Sequence, residues 1–268
     1  MLLNGASGAY DIVRNPLSTT PEARLYLARE EQSDTWRLVQ VAASRAHNGA
    51  LERAAFILSR LNETAEQFDA VYTKSHDGHR LHYDRLYPRV VETGISPEQG
   101  SRRINIYELA DIDDIRRVVS LAGLVRRQRL RVDVETSAWI MGRLLKMLAF
   151  VHGEGIENRY LTANNILLDP QEHFAVTLDW SNSFVHPAQV PADIAMTDIG
   201  KAAHATLFAL GGTDDGAWPY EGHTPYITLL RQMMAGKYTD ADKASDVFYE
   251  LVRAEYGKSF HPFTTLPL

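Results

Sequence analysis

The chain has 268 residues, 45% of them hydrophobic, with 28 basic against 34 acidic side chains and a net charge of −6. That length can bury a sizeable core as one large domain or two small lobes. The ordinary composition excludes a disordered or fibrous chain, the net acidity argues against a general nucleic-acid binder, and the absence of cysteine removes disulfides, zinc ribbons, iron–sulfur ligation and thiol catalysis.

The first half reads as short strands with a helix. In residues 18–28 (STTPEARLYLA), Thr20-Pro21-Glu22 could start a helix, but Ala23, Leu25 and Leu27 alternate, and we read a turn followed by a strand. Trp36–Ala43 (WRLVQVAA) is an apolar strand. Between Gly49 and Leu61, apolar side chains at Leu51, Ala54, Ala55, Leu58 and Leu61 follow the helical period. Arg80–Val91 reads as a strand broken at Pro88, residues 93–101 (TGISPEQGS) as a loop, and Arg103–Leu109 as a strand.

The second half is more helical. Thr136 or Ser137 could cap a helix from Ala138 to about His152, which ends at Gly153 and Gly155. Ile166–Leu168 and Phe174–Leu178 flank Asp169-Pro170-Gln171-Glu172-His173, a hairpin signal. Helices follow at Asp198–Leu210, Pro225–Met234 and Ala241–Tyr256. The N-terminus (MLLNGASGAYDIV) lacks the basic region of a signal peptide, and Ala138–Val151, interrupted by Arg143 and Lys146, is too short and charged to span a bilayer. A cytoplasmic protein without a membrane partner is expected.

One stretch carries chemistry. In Leu144–Trp180 a long helix ends in His-Gly-x-Gly, a loop contains Asn165, a hairpin follows, and Asp179 comes after an apolar strand. This order resembles the catalytic segment of the protein-kinase superfamily: an H-R-D-L loop with a downstream Asn, a hairpin, and D-F-G. Here the loop reads Asn158-Arg159-Tyr160-Leu161, then Thr162-Ala163-Asn164-Asn165, and the triplet reads Asp179-Trp180-Ser181. The five-residue step from Tyr160 to Asn165 is the family's step from aspartate to asparagine. The resemblance spans residues 22–256, and residues 144–210 carry it. It implies an α+β, bilobal protein-kinase-like fold: a small β-rich N-lobe over 1–108 and a mainly helical C-lobe over 109–268, joined near 108–113.

The same resemblance implies Asn165 and Asp179 as metal ligands, since amide and carboxylate oxygens suit the magnesium that neutralises ATP phosphates. It places backbone near Leu109 against an adenine and Asp198 as the brace of the catalytic loop. The implied cofactors are Mg and ATP, or none if the cleft is blocked. Other positions are degenerate. The base position is Tyr160, whose phenol, with an unperturbed pKa of about 10, is a poor base at neutral pH. The phosphate-binding lysine is Gln40, the helix-C glutamate is Ala54 with Glu52 nearby, and residues 13–25, where a glycine-rich phosphate loop belongs, contain no glycine. The segment from Asp179 to Asp198 is short and lacks A-P-E. The sequence therefore resembles a divergent bacterial pseudokinase, with no catalytic residue expected, acting by binding a protein partner, with nucleotide in the cleft as a conformational switch. The alternative is a divergent ATP-dependent phosphotransferase or nucleotidyl transferase that uses Asn165 and Asp179. A third reading is a scaffold whose cleft is filled by Tyr160 and Trp180.

Three further features are weighed. His76, His79 and His82 flank Asp77-Gly78, a turn between strands on this reading, so a metal site is not expected. Arg116, Arg117, Arg126, Arg127, Arg129 and Arg131 crowd one region, either as a solvated helix face paired to Asp111, Asp113 and Asp114 or as a surface for an anionic partner, with Arg126, Arg127, Arg129 and Arg131 the candidates. The tail, Phe260 to Leu268, is expected to pack back on the C-lobe.

Overall fold

Alternation in the central strands decides the architecture of the first half. The computed structural model describes every residue except 1, 6, 7, 14, 113, 170–173, 215, 219–223, 258 and 260. Asp113, the expected hairpin turn at 170–173, and Phe260 of the tail thus lie outside the described residues. The chain divides into two compact units, Met1–Val118 with Val176–Ser183, and Val119–Ala175 with Phe184–Leu268.

The first unit is built on a sheet of β1 (Leu2–Asn4), β2 (Ala9–Ile12), β3 (Ser18–Thr19), β4 (Ala23–Glu30), β5 (Trp36–Ala42), β6 (Arg89–Ser96) and β7 (Arg102–Glu108), in the order β1-β2-β4-β5-β7-β6 with β3 beside β4. Both faces of its centre are buried, which is why β5 reads as a nearly continuous apolar run. One face carries Leu3, Tyr10, Ile12, Tyr26, Val39, Val41, Ile104 and Ile106 as a single apolar cluster. Register then fixes the other face: β5 pairs antiparallel with β7, Gln40 opposite Asn105 and Leu38 opposite Tyr107.

Helix α1 (Asn48–Ser75) buries Leu51, Ala54, Ala55, Leu58 and Leu61, as expected, but runs on past Leu61 because Ala65 and Asp69 extend the same stripe. Asp69 accepts hydrogen bonds from the Leu81 backbone N–H at 2.7 Å and from Arg80 at 2.9 Å, tying down the return of the chain. The expected strand over Arg80–Val91 is corrected: a 3-10 turn occupies Tyr83–Arg85 and β6 begins at Arg89. It then runs through the expected loop, because Thr93 and Gly94 pair with Asn105 and Ile104. His76 ends α1, stacked on Tyr72, so the histidines follow a helix and do not flank a turn between strands.

The second unit is mainly helical, with α2 (Val134–Gly153), α3 (Ala192–Ala209), α4 (Pro225–Met234) and α5 (Ala241–Tyr256). The cap of α2 is Asp133, which accepts from the Thr136 N–H at 2.8 Å. Thr136 and Ser137 are buried inside the first turn, so neither is the cap expected from sequence. Helix α3 begins six residues before Asp198, which therefore lies inside it. Short strands complete the unit. β8 (Val119–Ser120) pairs with β11 (Ile166–Asp169), and β12 (Phe174–Thr177) lies beside β11 as the expected hairpin partner; β10 (Ile156–Glu157) pairs with β13 (Phe184–Val185). The tail packs back as expected: β14 (Thr265–Pro267) pairs with β9 (Leu130–Val132), and His261 Nε2 lies 2.7 Å from Asp133. Among the described residues, no helix is long and apolar enough to cross a membrane.

Candidate functional site

In the first unit, Asp179 follows β12 and is 4% exposed. Its Oδ1 accepts from Gln40 Nε2 at 2.9 Å and from the Ser181 N–H at 2.8 Å, and its Oδ2 accepts from the Thr20 hydroxyl at 2.9 Å. Thr20 is held for this by a tight turn, in which its N–H donates to the Ala23 carbonyl and its hydroxyl accepts from the Ala23 N–H. The turn lies in the stretch where a phosphate loop was expected. Behind Gln40 the network continues. The Tyr107 hydroxyl donates to Gln40 Oε1 at 2.7 Å, and Asn105 Nδ2 donates to that hydroxyl and to the Leu51 carbonyl of α1. Burial pushes the Tyr107 phenol far above its ordinary range, so this group acts as a neutral hydrogen-bond relay.

Helix α1 offers no carboxylate to Gln40. Ala54 is fully buried, and the neighbouring Glu52 is exposed and paired with Arg103 at 2.9 Å. Arg53 instead donates to the Ser181 carbonyl at 2.8 Å. Trp180 is fully buried, with its indole N–H on the Thr177 carbonyl and its ring edge-on to Tyr87. It fills the core of this unit, which corrects the expectation that it plugs a cleft. Leu109, just past β7, is 8% exposed.

In the second unit, the loop from Asn158 to Asn165 is shaped by its own side chains. Asp198 of α3, 1% exposed, accepts from the Asn158 N–H at 2.9 Å and from His152 Nε2 at 3.2 Å, and so braces the loop. Asn158 Oδ1 accepts from the Tyr160 N–H, and Asn165 Nδ2 donates to the Tyr160 carbonyl at 2.8 Å. Tyr160 itself is half-buried. Buried Glu157 takes Arg159 and His186 as partners.

Sheet order β1-β2-β4-β5-β7-β6 with α1 between β5 and β6, followed by a helical unit with a braced loop and a hairpin, can be set against solved structures. The Mycobacterium tuberculosis PknI kinase domain superposes with a TM-score of 0.52 at 14% identity, covering 93% of this chain and 98% of that one. A double mutant of the same domain gives 0.53 at 12% identity. The fold is that of a protein kinase domain. Rad53 in complex with AMP-PNP gives 0.58 at 14% identity, covering 88% of this chain and 60% of the Rad53 chain. No protein-family model and no curated protein sequence matches.

Gln40 meets Asp179 directly, while Asn165 belongs to the other unit. The arginines do not share one helix face. Arg116 and Arg117 lie on a 3-10 turn in the first unit, with Arg116 paired to Asp114; Asp111 pairs with Arg85 instead. Arg126 and Arg127 end a π-helical turn in the second unit, Arg126 paired with Asp214 at 2.7 Å and over the Phe208 ring. Arg127 and Arg129 are exposed and carry no ion pair among the described residues, and Arg131 is half-buried on β9. Sequence reading missed Thr20, Arg53, Asn105 and Tyr107. Only the Gln40–Asn105 register could have found the last two.

Proposed function

We propose that this chain is a pseudokinase, a catalytically degraded kinase-like protein that acts by binding a protein partner. The observation that carries the reading is the engagement of both Asp179 oxygens by uncharged donors, Thr20 and Gln40. A magnesium ion needs carboxylate lone pairs free of donors and a lysine or comparable cation beside the phosphates. The donors around Asp179 compete with such an ion for its oxygens, and no lysine stands at position 40. Tyr160 at the base position and Ala54 in α1 remove the proton acceptor and the helix partner as well. The partner would be a protein with an acidic surface, met by exposed Arg127 and Arg129 beside Arg126 and Arg131.

Calorimetric titration of Mg-ATP into the full chain and Asp179→Ala, with and without EDTA, tests this, alongside incubation with α- and γ-labelled ATP. No label transfer and no magnesium-dependent heat is the expected result. Transfer of either label that disappears in Asp179→Ala would overturn it and establish the phosphotransferase or nucleotidyl-transferase alternative.

A further inference from the structure

The second unit holds an apolar cavity of about 300 Å³ between α2 and α5. Helical spacing makes it. Glu135, Ala138, Trp139, Gly142 and Arg143 recur along one stripe of α2, and Phe248, Tyr249, Val252 and Tyr256 along the facing stripe of α5. Ala138 and Gly142 are too small to fill the space that the α5 rings span. Tyr249 lies so close across Gly142 that a Cβ there would come within 2.9 Å of its hydroxyl. His261 of the tail borders the same cavity.

The two ends carry opposite charge. Glu135 and Arg143 both border the cavity and stand about 12 Å apart along the α2 axis. The tyrosines sense the same difference. Burial raises the Tyr249 phenol, and Arg143 and Arg253 pull it back down. Burial raises the Tyr256 phenol to about 12, and Glu255 and Glu135 push the same way. Glu135 is already met by His261 Nδ1 at 2.9 Å. The Arg143 guanidinium stands over the Trp139 ring, 5.8 Å from its centroid, so a ligand cation would find that ring face taken.

We propose that this cavity binds a small aromatic carboxylate, its ring held among Trp139, Tyr249 and Tyr256 and its carboxylate on Arg143. Flat rings pack well against such walls, offset or edge-on. A guanidinium has five N–H groups in a fixed fork and meets a carboxylate in bidentate fashion. Glu135 at the far end repels the same carboxylate and so sets the ligand's direction. The volume lies at the lower end of the range for small-molecule pockets, roughly 300–1,000 Å³, so the ligand is small.

trans-Cinnamate is the probe, titrated calorimetrically into the full chain, with cinnamamide as the uncharged control of the same shape. The expected result is saturable binding of cinnamate, about tenfold tighter than that of cinnamamide. Arg143→Gln should remove that preference and leave cinnamamide binding unchanged. Val252→Trp, which puts an indole into the cavity from α5, should abolish binding of both, with a thermal transition showing that the variant folds. If either variant does not fold, nuclear Overhauser contacts between the cinnamate ring and the Trp139 indole in the wild type replace it. No saturable binding of cinnamate, equal affinity for the two probes, binding untouched by Val252→Trp, or no contact with Trp139 overturns the proposal.

Discussion

Two buried aspartates, one in each unit, are surrounded in different ways. Asp198 accepts a backbone N–H and an imidazole, contacts that shape a loop. Asp179 accepts from Thr20, Gln40 and the Ser181 N–H, contacts that lock a turn and a strand onto it. The first is a framework role, and the kinase fold keeps it. The second joins a turn, a strand and the Ser181 backbone within the first unit. One carboxylate thus shapes a loop and the other cross-links a sheet, because a buried carboxylate has to be met by donors wherever it stands.

The contrast can be broken most directly at Asp198. Asp198→Ala leaves the Asn158 N–H and the His152 ring without an acceptor, and should lower stability by about 2–5 kcal/mol in denaturant titration. A loss no greater than that of Thr20→Val would erase the distinction between the two sites. Tyr107→Phe comes next: it strips Gln40 Oε1 of its donor inside the buried relay, at an expected cost of about 1–3 kcal/mol by the same measurement. Thr20→Val removes one donor from Asp179 and should cost about 1.5 kcal/mol. If it also gives Mg-ATP binding that the wild type lacks, Thr20 is the gate on that carboxylate; if not, Gln40 and Ser181 suffice to hold it.

The smallest effect is a titration. Hydrogen bonds from the Arg116 side chain and backbone N–H lower the Asp114 carboxyl to about 2. A depressed carboxyl contributes stability that is present above its unfolded value of about 3.9 and lost as pH falls through the folded one. The Asp114 carboxyl resonance should therefore show a midpoint at about 2, rising part of the way toward its ordinary value in Arg116→Ala, which removes the side-chain hydrogen bonds and keeps the backbone N–H.

The parts of the fold that rest on local signals were legible. Helices α4 and α5 have the expected bounds because Thr224 with Pro225, and Asp240 with Gly257, are stop and start signals written into neighbouring residues. The strands β11 and β12 and the end of α2 were legible for the same reason. β6 was not, since Gly94 and Pro97 read as loop signals, while Thr93 and Gly94 are held extended by their pairing with β7. Ser137 was misread as a cap because its hydroxyl serves the Val134 carbonyl and the Tyr226 hydroxyl.

By itself the sequence determined the α+β class and the kinase-like order of loop, hairpin and aspartate, because each of these is a matter of residue identity and spacing. Only the tertiary structure decided what fills the places left. The Thr20 hydroxyl reaches a carboxylate 159 residues further along the chain, and α1 sends Arg53 to the Ser181 carbonyl where a glutamate was sought. Such contacts follow from strand register and helix packing, and these are set by burial of whole faces, to which no local pattern of residues gives access.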